Sequence, residues 1–188
     1  MDAWGRVDIL INNAGILRDK SFSKMSLDDF ETVVNVHLLG AAYCSHAVWP
    51  IMREQNYGRI LMTTSPTGLY GNFGQTNYGA AKLGQVGLMN SLKLEGAKNN
   101  IFTNTIAPIA ATRMTEGIIP GEVLEKLGPE LVTTAAIYLV SEDAPNGVVL
   151  QAQGGSFSLA CIVENDGVEI GIEATPEDIR SRYEDIVQ

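Results

Sequence analysis

The chain has 188 residues, 45% hydrophobic and 19% charged, with a formal net charge of −9, which suits one well-packed domain and argues against a surface built to neutralise phosphate backbones, so nucleic acid is not an expected partner. No apolar run approaches the roughly 20 residues a bilayer span requires, and MDAWGRVD is no secretory leader. Cys44 and Cys161 sit in apolar surroundings without metal-ligand or CxxC spacing, so they read as buried free thiols in a reducing compartment; a soluble, cytoplasmic protein with no metal site and no membrane contact is expected.

In chain order, VDILINNAG (Val7 to Gly15) is a short apolar run ending in turn formers, as a strand buried on both faces would be. Ser26 opens a long helical pattern, with Asp28, Asp29 and Glu31 in its first turn and apolar positions from Phe30 to Met52; it stops near Asn56 to Gly58. A second strand, Arg59 to Ser65, runs into a glycine-rich loop, PTGLYGNFG, and then a helix from about Thr76 to Lys98. The strand IFTNTIA follows and ends at Pro108. The stretch from there to about Pro129 is broken by prolines and glycines and reads as a mobile excursion with a short helix around Glu122 to Leu127. A helix from about Glu130 to Ser141 leads to a last strand in GVVLQAQGG. This alternation predicts a parallel sheet flanked by helices. Beyond Gly155 an alternating segment, SLACIVENDGVEIG, precedes a helix opened by Thr175 and Pro176; residues 156–188 read as an extension packed on the same domain.

Tyr78 and Lys82 stand four residues apart on one helix face, and Ser65 lies thirteen residues before the tyrosine. An ammonium beside a phenol favours the ionised form, which makes Tyr78 a candidate proton donor or acceptor despite an ordinary pKa of about 10. The other notable residues fall at predicted carboxyl ends of strands, where parallel α/β sheets bind ligands: Asn12 to Gly15 after the first, Ser65 after the second and Pro108 to Thr112 after the third. Singly, each has a plain structural alternative, with Ser65 capping a strand, Asn12 and Asn13 in a turn, and Tyr78 filling the core.

Together, VDILINNAG, the serine thirteen before YxxxK, and the proline loop resemble the short-chain dehydrogenase/reductase family from about Gly5 to Gly155. Within it, NNAGILRDKSF, YGNFGQTNYGAAK, EGAKNNI and the TPEDI helix look most like the (3R)-hydroxyacyl-CoA dehydrogenases of the multifunctional enzyme type 2 subgroup and its bacterial relatives. The resemblance implies a three-layer Rossmann-like α/β fold and an NAD(P)-dependent oxidoreductase, NAD slightly favoured over NADP, that interconverts a 3-hydroxyacyl thioester, or another secondary alcohol, and the ketone.

By resemblance, Tyr78 is the general acid/base, Ser65 holds the substrate oxygen, and Lys82 lowers the tyrosine pKa and binds the nicotinamide ribose. Asn12, Ala14 and Gly15 would run along the cofactor, and Pro108, Ile109, Ala111 and Thr112 would meet its amide. The resemblance implies a small-molecule substrate such as an acyl-CoA, with Arg18, Lys20 and Arg113 as the cations near the expected site. A homodimer or tetramer would form through the two long helices. The ending IVQ carries no peroxisomal address.

Three departures qualify this picture. By resemblance His37 occupies the place of an asparagine that anchors a proton-relay water in the family; a histidine titrating near neutrality would give the relay its own pH dependence, and the plain alternative is a histidine packed in a helix interface. Asn35 is a poor substitute, lying nearly opposite on the helix. The loop PIAATRM has Ile109 where a glycine is common. Finally, nothing before Val7 matches the family's TGxxxGxG turn, so the sheet is expected to lack its first three strands and to show an open apolar edge. An alternative reading follows from that absence: a non-catalytic assembly subunit retaining the family's helix pair.

Overall fold

The computed structural model describes residues 1–115 and 120–187. A five-stranded sheet runs in the order β1 (Ile9–Asn12), β2 (Gly58–Thr63), β3 (Ile101–Ile109), β4 (Val149–Gln153) and β5 (Ser156–Ala160). The first four strands are parallel. Helices α2 (Gly40–Gln55) and α4 (Thr76–Gly96) cover one face and α6 (Pro129–Leu139) the other, giving helix, sheet and helix layers.

β2 shows why its residues are apolar without alternation: every side chain in it is buried. Ile60 and Met62 pack towards α2 and α4 with Met52, Val86, Met89 and Ile101, while Leu61 faces α6 with Ile106, Ala135 and Leu139. β1 is an outer strand, and Ile9 and Ile11 on one of its faces remain about half exposed.

At the amino end of β2 the buried Arg59 is held between the rings of Tyr57 and Phe102, 4.4 and 4.3 Å from their centroids. Its guanidinium donates to the carbonyls of Gly58, Asn100, Ser141 and Glu142. A buried cation costs several kcal/mol unless its donors are satisfied. Here they are, and one side chain thereby joins β2, the turn before β3 and the chain leaving α6.

The helix expected from Ser26 to Asn56 is not one regular rod. Ser26 caps α1 (Leu27–Val34) by accepting from the Asp29 N–H at 3.1 Å, and Asn56, at φ 51°, ends α2 in the left-handed conformation. Between α1 and α2, Asn35–Leu39 form a π-turn, widened by one residue, and an i, i+3, i+4 pattern hides it. The supposed loop after Ser65 begins with a five-residue helix, α3 (Pro66–Tyr70), whose proline occupies a first-turn position that needs no N–H.

The sheet departs from all-parallel at β5, which pairs antiparallel with β4 through Gly154 and Gly155. Both glycines have positive φ, 51° and 79°, as a two-residue hairpin turn requires. Of the excursion expected between Pro108 and Pro129, residues 116–119 lie outside the described residues, and the short helix is α5 (Gly121–Leu124).

Of the extension 156–188, β5 joins the sheet, whereas from Cys161 to Val187 nearly every described side chain is exposed. Thr175 and Asp178 form a capping box at α7 (Pro176–Ser181), which is followed by α8 (Tyr183–Ile186). Cys44 and Cys161 are free and exposed rather than buried. No helix among the described residues is long and apolar enough to cross a membrane.

Candidate active site

A cleft of about 500 Å³ opens at the carboxyl ends of β1 to β3, lined by Asn13, Gly15, His37, Ser65, Tyr78 and Lys82. Pro108, Ile109, Ala110, Thr112 and Arg113 form the wall beyond β3. Ser65 caps α3, accepting from the Thr67 N–H at 3.2 Å, which leaves its own O–H free to donate towards Tyr78. Tyr78 stands in the first turn of α4, and Lys82, only 3% exposed, is one turn deeper. Gly68 permits that depth: a Cβ there would meet Lys82 Cβ at 2.7 Å, so only glycine lets α3 lie so close on α4.

Lys82 Nζ donates to the Thr63 carbonyl at 2.5 Å and lies 5.4 Å from the centre of the Tyr78 ring. Burial lowers its pKa to about 8. The Tyr78 phenol is pushed up from its ordinary value, chiefly by burial, against the Ser65 hydrogen bond and with the help of the Asp19 charge. The net shift is thus opposite to the expected lowering, because burial is the largest influence on the phenol. In the structure the ammonium is aimed at the Thr63 carbonyl, and desolvation of the phenol outweighs whatever attraction remains.

His37 is buried in the π-turn, with its ring edge-on to Tyr78 at 5.1 Å between centroids. Its Nε2 lies 3.0 Å from the Ile16 N–H and 2.8 Å from the Ile16 carbonyl, so either tautomer satisfies one of these groups at a time. Nδ1 has no hydrogen-bond partner among the described residues. Gly15 makes room for this ring: a Cβ would stand 2.5 Å from His37 Cε1. Desolvation, then the charge of Lys82, lowers the histidine to about 4. The imidazole is therefore neutral near pH 7, and the expected titration near neutrality does not occur. Asn35 is exposed, away from the cleft.

The cleft lining differs by one residue from several of the positions expected along a cofactor. Asn12 is buried and donates to Ser45 Oγ at 3.2 Å, tying β1 to α2, while its neighbour Asn13 lines the cleft. Ala14 is not in the lining; Ala110 is there in place of Ala111, whose N–H donates to the Leu127 carbonyl at 2.6 Å. Arg18 and Lys20 both approach Asp29, at 3.8 and 3.4 Å, in a surface cluster; of the three expected cations only Arg113 lines the cleft. Thr67, Asn72 and Gln75 also line it, although the glycine-rich stretch around them carries no sequence signal for a site.

A parallel sheet with a serine after one strand and a tyrosine and lysine one turn apart on the helix that follows defines a class: the chain matches the short chain dehydrogenase family over residues 1–122 and belongs to that family. It is 50% identical over 187 residues to a short-chain type dehydrogenase/reductase of Mycobacterium tuberculosis, covering 99% of this chain and 65% of that protein. It is 37% identical over 166 residues to an acetoacetyl-CoA reductase of Shinella zoogloeoides, covering 81% of this chain and 69% of that one. Among solved structures, full-length peroxisomal multifunctional enzyme type 2 from Drosophila melanogaster superposes with a TM-score of 0.86 at 39% identity, over 95% of this chain and 33% of that chain. The chain thus spans about two thirds of the first relative and one third of the last.

Proposed function

We propose that the protein is an NAD(P)-dependent oxidoreductase that interconverts a 3-hydroxyacyl thioester and its ketone, with Tyr78 as general acid/base. The observation that carries this reading is the convergence of Ser65, Tyr78 and Lys82 on one cleft. The acetoacetyl-CoA reductase relative supports a thioester substrate. The residues present fit the nicotinamide end of a dinucleotide: a buried ammonium on the cleft floor suits a ribose, and the Pro108–Ile109 wall suits a planar amide. When bound, that group would supply or accept the hydride.

Everything else falls to the chain itself. Ser65 directs its O–H to the substrate oxygen and stabilises charge developing there. Tyr78, kept protonated by burial, donates to that oxygen in reduction and is left as a phenolate to be reprotonated; in oxidation the phenol first gives up its proton and then, as phenolate, accepts the one leaving the alcohol oxygen. Lys82 stands one helical turn behind to return a proton. His37, neutral and packed edge-on against Tyr78, adds no charge beside the phenol.

The test is reduction of acetoacetyl-CoA by the full chain with NADH or NADPH, followed by nicotinamide absorbance. Tyr78→Phe is expected to lose about 10²- to 10⁴-fold in turnover, whereas an equal rate would overturn the mechanism. If fluorescence titration shows no NADH binding by the chain, the reading as a non-catalytic assembly subunit takes its place.

A further inference from the structure

The sequence ILRDK carries an aspartate that the reading above leaves unused, and the structure puts it at the amino end of the tyrosine's own helix. Three hydrogen bonds fasten the segment Arg18–Lys20 to the start of α4. Asn77 Nδ2 donates to the Arg18 carbonyl at 3.1 Å, Gln75 Nε2 donates to Asp19 Oδ2 at 2.7 Å, and the Lys20 N–H donates to the Gly74 carbonyl at 2.9 Å. Gln75 is the hub. It is 9% exposed, and its Oε1 also accepts from Thr67 Oγ1 and from Asn72 Nδ2, each at 3.0 Å. One amide thus joins the loop after β1, helix α3 behind Ser65, and the turn that delivers Tyr78.

We propose that Asp19, gripped by Gln75, is a positioning residue for proton transfer at Tyr78: a carboxylate fixed at the amino end of α4 keeps the phenol protonated between turnovers. Helix α4 has no acidic residue in its first turn, and its N-cap Gln75 makes no side-chain cap bond. Within the helix that end is met only by a neutral oxygen, Asn77 Oδ1, which accepts from the Tyr78 N–H at 2.7 Å, so the partial positive charge still favours a phenolate two residues in. Lys82 favours it too. Asp19 opposes both from outside the helix. The groups around Tyr78 are Lys82 on α4, the neutral edge-on ring of His37 in the π-turn, the Ser65 hydroxyl after β2, Asp19 from the loop after β1, and Arg113 sharing the cleft from beyond β3. Among these Asp19 is the negative charge. Burial is the largest influence holding the phenol up, and the Asp19 charge adds to it.

The inference rests on the reading of Tyr78 as the proton-transfer group, but it can be tested without turnover. The full chain is labelled with tyrosine carrying carbon-13 at Cζ, Tyr78 is assigned with Tyr78→Phe, and its midpoint is followed by NMR titration. Asp19→Asn, which can still accept from Gln75, is expected to lower the midpoint by roughly half a pH unit, a threefold change in proton affinity, and the difference should shrink in about 1 M salt. Asp19→Glu is expected to restore the wild-type midpoint. Gln75→Ala, which leaves the carboxylate untethered, should fall between wild type and Asp19→Asn. Superimposable titrations for wild type and Asp19→Asn would overturn the proposal. So would equal midpoints for Asp19→Asn and Asp19→Glu. Neither result would touch the redox reading, which stands or falls on the Tyr78→Phe turnover.

Discussion

Replacing Lys82 by methionine should make the protein more stable while removing the ammonium proposed to return a proton to Tyr78. The ammonium is 3% exposed, has one hydrogen bond, to the Thr63 carbonyl, and no carboxylate in salt-bridge range among the described residues. Its pKa falls from 10.5 to about 8 on burial, which at about 1.4 kcal/mol per unit is a cost of about 3 kcal/mol. The native state releases the proton near 8 and the unfolded chain near 10.5. Between those values the unfolded chain binds more protons, so stability rises with pH, and the full cost applies below 8. Methionine fills the same channel without the charge, at the loss of a charged hydrogen bond worth about 1.5–3 kcal/mol. The expected net gain at pH 7 is about 1 kcal/mol, or roughly 2–4 °C in melting temperature for a chain of this size. By pH 10 most of the ammonium cost has gone from the wild type and the gain should vanish. Thermal melts followed by circular dichroism at pH 7 and pH 10 decide it: a methionine variant that melts lower at pH 7, or a difference independent of pH, would refute the reasoning.

Three further perturbations follow from the same structure. His37 has its ordinary 6.5 lowered to about 4, so its stabilising contribution is complete above 6.5 and is lost as pH falls towards 4; wild type should lose up to about 3 kcal/mol across that window in urea titrations, and His37→Gln should not. Gly15→Ala, whose Cβ would press on His37 Cε1, should cost about 1–3 kcal/mol, and His37→Ala in the same chain should recover part of it, giving a coupling above about 0.5 kcal/mol in a double-mutant cycle. Arg59→Lys keeps the charge but loses the planar fork and ring stacking, so a loss of about 2–4 kcal/mol is expected, read as a urea midpoint lower by roughly 1–2 M with unchanged slope.

The residues whose chemistry depends on spacing were the legible ones. Ser65, Tyr78 and Lys82 announce themselves because a strand end and one helical turn fix their relation, and the cleft lining includes all three. Asn12 and Asn13 were not separable, since identical neighbours at a strand end leave open which of them lies over the sheet. Electrostatics was misread for a related reason. A sequence shows that Lys82 can neighbour Tyr78 but not that both are desolvated or that the ammonium points to a backbone carbonyl. Two misses carried overlooked signals. Ser65–Pro66 is a helix opening, and Gly154–Gly155 between VVLQAQ and SFSLA is a hairpin turn. The π-turn had none.

That turn has a consequence for how such a chain can vary. Val33, His37, Ala41 and Ser45 are buried and follow at steps of four. In a regular helix each such step rotates the side chain by about 40°, so the row would wind off its face within a few turns. The single extra residue works as a vernier that resets the phase, letting one end of the rod address chemistry while the other stays meshed with the sheet. Losing one residue from Asn35–Leu39 would twist the two ends by about 100° relative to each other. Substitutions within the turn can retune the imidazole without disturbing the grip of Met52 on the core.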